Sequence, residues 1–158
     1  MDSVINWAES WLTAHNYQVS NGPELIRAVP WSKIYRIATN RGNIYLKWSA
    51  SAYAREAVLM EHLAERFPAA ILPVLARNQA IDAFLVPDGG EPLRGKLKES
   101  YDQQLVAIIL GQYARIQSVI SSDVDALLAL GIDDWRMAVF PNLYDELSLL
   151  NRLASKLS

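Results

Sequence analysis

The sequence contains no cysteine. That excludes disulfides, thiolate metal sites and a cysteine nucleophile, and it fits a reducing compartment. No charge of one sign dominates: 15 Lys and Arg stand against 17 Asp and Glu, for a formal net charge of -2. The chain therefore offers no basic footprint for nucleic acid or an acidic membrane surface. No apolar run approaches the roughly 20 residues that cross a bilayer. The opening "MDSVINWAESWL" starts with an acid, lacks a basic stretch and carries Asn6 and Glu9 in its apolar part, so it does not read as a signal peptide. A cytoplasmic protein is expected, with neither nucleic acid nor membrane among its partners.

What remains is an ordinary folding composition, with 51% hydrophobic and 20% charged residues in 158. A chain of this length buries about two thirds of its unfolded surface and needs no covalent staple. Residues 3–15 fit an amphipathic helix with Val4, Ala8, Trp11, Leu12 and His15 on one side. After the loop at Asn21-Gly22-Pro23, the runs 24–29, 33–39 and 43–48 read as strands of an antiparallel meander, with Gly42 suited to the turn before the third. Residues 52–67 switch to helical period, Leu59, Leu63 and Phe67 sharing a face until Pro68 stops the run. Strands are expected again at 71–77 and 80–86, the former an edge or bulged strand because of Pro73.

The stretch 87–98, "PDGGEPLRGKLK", holds three glycines and two prolines and reads as a linker. Everything beyond it reads as helix. Residues 100–120 carry Leu105, Ile108, Ile109, Tyr113, Ile116 and Ile120; a short helix capped by Ser122 or Asp123 ends at Gly131; and Pro141 opens a last helix with the stripe Leu143, Leu147, Leu150, Ala154 and Leu157. The expected class is α+β: a five-stranded antiparallel sheet with one packed helix over residues 1–87, a linker at 88–98, and an all-helical part over 99–158.

One charge pair stands out. In "RGNIYLKWS" (41–49) Lys47 lies inside a strand, sharing a side with Tyr45 opposite Leu46 and Trp48. Glu56 falls three, seven and eleven residues before Leu59, Leu63 and Phe67, on the apolar stripe of the next helix. A carboxylate packed against a sheet loses several kcal/mol of solvation and wants a cation. If the Lys47 side of the sheet faces that helix, the two meet. Otherwise Lys47 lies on a wet face and Glu56 at the rim of its stripe, since charged residues are mostly exposed.

The order of these features resembles the aminoglycoside phosphotransferase family, which has a protein-kinase-like fold. The stretches that carry the resemblance are "PWSKIYRIATNRGNIYLKW", "YAREAVLMEHLAERFP", "ILPVLARNQAIDAFLVPDGGEPLRG" and "LGQYARIQS", with "LLALGIDDWRMAVFPNLYDELSLL" similar to the helical start of the second lobe. The resemblance implies that Lys47 holds nucleotide phosphates and that Glu56 orients it. It implies that Ser32, in "PWSK", reaches toward a phosphate, that Phe84 backs the adenine pocket, and that Leu85, Val86 and Asp88 belong to a hinge whose backbone meets the adenine edge. ATP is the implied cofactor, bound weakly, with Mg2+ only in a complete enzyme.

Two departures limit this. Residues 29–33, "VPWSK", contain no glycine and form no glycine-rich phosphate cradle. The family's His-Gly-Asp-like catalytic loop, its later Asn and the following metal-binding Asp are absent: the only histidines are His15 and His62, in "HNYQV" and "HLAER". No catalytic residue and no metal ligand is therefore assigned, and phosphoryl transfer by these residues alone is not expected. A truncated second lobe leaves apolar stripes uncovered, which predicts a homodimer through the C-terminal helices. Three readings stay open: a nucleotide-binding portion of a small-molecule kinase with unknown acceptor, a non-catalytic module of the same fold, and an interaction domain without a nucleotide site. Asp133 and Asp134 read as a helix N-cap, Asp123 and Asp125 as flanking another helix start, His15 as a packed histidine, His62 as helix surface, and Trp7, Trp11, Trp31, Trp48 and Trp135 as core or interface anchors.

Overall fold

The computed structural model of the chain describes residues 2–142, 144–146 and 148. It is an α+β structure built on one five-stranded antiparallel sheet. Helix α1, Asp2–Ala14, leads. Val4, Ala8 and Leu12 recur every fourth residue and are buried. The helix ends where Asn16 takes a left-handed φ of 61°. The Tyr17 N–H reaches back to the Leu12 carbonyl and the Asn16 N–H to Thr13, closing the carbonyls left open by the last turn. His15 is exposed at this end, stacked on Trp11 at 3.9 Å, rather than packed on the apolar side.

Strands β1 (Glu24–Val29), β2 (Ser32–Thr39) and β3 (Gly42–Ser49) form the expected meander. Gly42 takes φ 100° beside the Asn40-Arg41 turn, a conformation that favours glycine. Strand β1 is an exposed edge, its register with β2 shifting between Leu25 and Arg27. After β3 a short 3-10 turn at Ser51–Tyr53 precedes helix α2, Glu56–Arg66.

The two later strands differ from expectation. Strand β4 is only Ala76–Asn78, and residues 71–75 are not strand. Pro73 has no N–H for a ladder, which removes the means of extending β4 toward its start. A 3-10 turn at Gln79–Ile81, with Asp82 at φ 51°, then separates β4 from β5, Ala83–Pro87. The sheet order is β1-β2-β3-β5-β4, so β5 inserts between β3 and β4.

The strands alternate cleanly. Tyr35 and Ile37 of β2, Ile44 and Leu46 of β3, and Ala83 and Leu85 of β5 pack with Val4, Ala8 and Leu12 of α1 as one core. Their neighbours in sequence, Lys47 and Phe84 among them, belong to the other face.

The stretch expected as a linker holds helix α3, Leu93–Glu99. Pro92 stands at its N-cap position, ahead of the good helix formers Leu, Arg and Lys. Helix α4, Gln103–Ile120, is capped by Asp102 accepting the Leu105 N–H. No residue of α4 is buried; Leu105, Ile109, Ile116 and Ile120 are half-buried, while Ile108 and Tyr113 of the expected stripe are exposed.

The chain divides into two compact units, Met1–Asp123 and Val124–Ser158. In the second, helix α5 (Val124–Ala129) ends as expected at Gly131, with φ 78° and the Ile132 N–H bonded to the Leu127 carbonyl. Residues 132–136 are not helical, so Asp133 and Asp134 cap nothing there: Asp134 instead accepts from the Arg136 backbone N–H and guanidinium. Residues 140–142 are helical, with Pro141 in the first turn. Of the expected stripe beyond it, Leu143, Leu147, Leu150, Ala154 and Leu157 lie outside the described residues.

Candidate functional site

The candidate site occupies the sheet face opposite α1. Strand parity puts Lys47 there, in register between Ile34 of β2 and Phe84 of β5. The 3-10 turn after β3 returns the chain so that α2 begins close to this face, and Glu56 is its first residue. Lys47 Nζ donates to Glu56 Oε2. The Lys47 side chain is 23% exposed and that of Glu56 43%. A pair this accessible contributes only about 0–1 kcal/mol to stability, so its effect is to orient the ammonium more than to hold the fold.

The other expected residues separate into two groups. Ser32 pairs with Ser49, which places it on the Lys47 face and on the diagonal from Lys47. Phe84 is buried directly across from Lys47, and Val86 follows it opposite Tyr45. Leu85 points the other way, fully buried against α1. Its carbonyl takes the Leu75 N–H at 2.8 Å, and Pro87 has no N–H. Asp88 lies just past β5. The Asn43 side chain and the Gly90 N–H donate to it at 3.1 and 2.9 Å, and these bonds hold its carboxyl below the usual range.

The face carries further charge. The Arg36 guanidinium meets Glu24 across β1 and β2 at 2.5 Å, and this bond raises its already high pKa. Arg77 of β4 reaches Glu61 of α2 at 3.3 Å. At the far end of α2, Arg66 pairs with Asp123, and His62 Nε2 lies 3.5 Å from the same carboxylate oxygen. The His62 side chain is only 17% exposed, so it is not the surface residue expected from its place beside the Leu59–Leu63 stripe. Asp123, 11% exposed, is thus a clamp on α2. Among the described residues no three His, Asp or Glu side chains come together as a metal-holding group.

Beside the pair lies a cavity of about 350 Å³. It shares Glu56 and Phe84 with the face just described and continues to Ser49, Arg55, Arg77 and Asp82, but Lys47 does not line it. Ser49 and Arg77 have no motif to announce them. For Ser49 the signal was parity, two residues on from Lys47; for Arg77 it existed only in the pairing of β4 with β5.

Comparison of the chain with protein-family models, curated proteins and solved structures returns no match.

Proposed function

We propose that this chain is the nucleotide-binding portion of a small-molecule kinase resembling the aminoglycoside phosphotransferases, with a kinase-like arrangement of sheet and helix. The observation that carries the reading is the Lys47–Glu56 pair: a lysine on the third strand, near the middle of a five-stranded sheet, met by the first residue of the helix between β3 and β4. An ammonium oriented by a carboxylate is suited to hold phosphate oxygens, and phosphoryl-transfer sites rest mainly on such positioning and charge neutralisation. In this reading Lys47 binds the phosphates, Glu56 orients Lys47, Ser32 offers a hydroxyl on the same face, and Phe84 walls the base. ATP, when bound, supplies the phosphoryl group. No residue here is assigned as the base for an acceptor hydroxyl, so the chain holds nucleotide without turning it over.

The test is titration calorimetry and thermal melting with ATP. Binding on the order of millimolar is expected, abolished in Lys47→Ala. Absence of both heat and a melting shift with the wild type at millimolar ATP overturns the reading.

The backbone of β5 favours a second reading, a non-catalytic binding or interaction module. With the Leu85 carbonyl occupied by Leu75 and no donor at Pro87, the stretch expected to meet the adenine edge keeps few open groups. Comparing ATP with tripolyphosphate separates the two. Tighter binding of ATP supports base recognition, and equal or absent binding supports the module.

A further inference from the structure

We propose that the cavity beside the α2 N-terminus is a separate binding site for a small oxyanion, a phosphate or a carboxylate. Three independent features point the same way. First, α2 begins without a side-chain cap, and Glu56, Ala57 and Val58, its first turn, line the cavity. The first amides of a helix have no partner within it and carry the positive end of its dipole, so an anion is their natural acceptor. Second, Ser49 is 4% exposed and lies on the α2 side of β3, lining the same space. No described residue hydrogen-bonds its hydroxyl, which leaves it open to a ligand in the cavity. Third, Arg77 lines the cavity, and a guanidinium suits carboxylate and phosphate geometry.

Two carboxylates also line it, and both are engaged. Glu56 accepts from Lys47, and Asp82 accepts from the Ser51 hydroxyl at 2.6 Å. Arg77 meets Glu61 through Nε, which leaves its terminal nitrogens for a ligand. The cavity volume of about 350 Å³ also admits more than a bare anion. The exposed ring of Tyr53 also lines the cavity, an apolar surface for the body of a phosphate ester or carboxylic acid. The site does not depend on nucleotide binding at Lys47, which does not line it.

The experiment is an amide NMR titration of the full chain with inorganic phosphate and, separately, with acetate. Saturable shifts at Ser49, Ala57 and Val58 are expected. Binding should weaken about tenfold in Ser49→Ala and in Arg77→Gln. Tighter phosphate assigns a phosphate ester, tighter acetate a carboxylic acid, and either supports the site. Melting curves without ligand confirm that each variant folds, and Ser49→Ala, which only removes an oxygen, decides the matter if Arg77→Gln does not fold. Non-saturating shifts with both anions, or unchanged affinity in a folded Ser49→Ala variant, overturn the proposal. Loss of ATP binding alongside intact phosphate binding at Ala57 would count against the nucleotide reading only.

Discussion

Lys47 and Ser49 are two residues apart on one strand and face the same way, yet Glu56 answers the lysine while the serine hydroxyl has no described partner. At the scale of single residues, geometry separates groups that composition treats alike. Aspartates show it best. Asp88 bonds Asn43 and Gly90, Asp102 caps α4, Asp123 receives Arg66, and Asp134 folds back on Arg136. For Asp134, the Arg136 side-chain and backbone hydrogen bonds lower the carboxyl from 3.8 to about 2. A carboxyl depressed in the folded chain adds stability that is present above its unfolded value of 3.8 and is lost as pH falls toward about 2. An NMR titration of Asp134 should give a midpoint near about 2 in the wild type and one back near the ordinary aspartate value in Arg136→Gln. Equal midpoints would remove the local bond from the account.

At the scale of elements, α2 is the piece on which the site turns, because its first residue faces Lys47 and its last turn is held by Asp123. The helix has one buried residue, Ala57, so side-chain pairs at its two ends do much of the positioning. Asp123 is nearly buried while Arg66 is 44% exposed, so removing the carboxylate leaves a cation that water can partly reclaim. Asp123→Ala is therefore expected to cost about 1–2 kcal/mol, between an exposed pair and a fully buried one. Urea denaturation measures it; a cost within a few tenths of a kcal/mol would show that Asp123 does not clamp α2. The period of α2 was plain in the sequence, but this anchorage was not: His62 and Arg66 are separated from Asp123 by β4, β5, α3 and α4, and no local pattern encodes contact at that distance.

At the scale of the whole chain, the apolar side chains that remain in water carry the consequence. In α4, Ile108, Leu110 and Tyr113 are 54%, 61% and 59% exposed. In the second unit, Trp135 and Met137 are 66% and 84% exposed. Surface of this kind on neighbouring turns of one helix favours association. A concentration-dependent dimer is expected in sedimentation or light scattering, weakened by Tyr113→Asp in α4. A monomer at high concentration would show that these side chains stay in water. Among the described residues no helix is long and apolar enough to cross a membrane.

The sequence by itself determined the meander, the turn at Gly42, the run of α2 and the side of β3 that Lys47 takes, because alternation and helical period are properties of the local backbone. It also made a meeting of Lys47 and Glu56 a definite alternative to two solvated charges. Only the tertiary structure decided between them, by packing α1 on one face of the sheet and leaving the other to α2. It likewise decided that β4 is three residues long, that the glycine-rich stretch contains a helix, and that Ser49, Arg77 and Asp82 border one cavity. Each of these depends on strand insertion and long-range packing, and residues brought together by β5 entering between β3 and β4 share no sequence period that could reveal them beforehand.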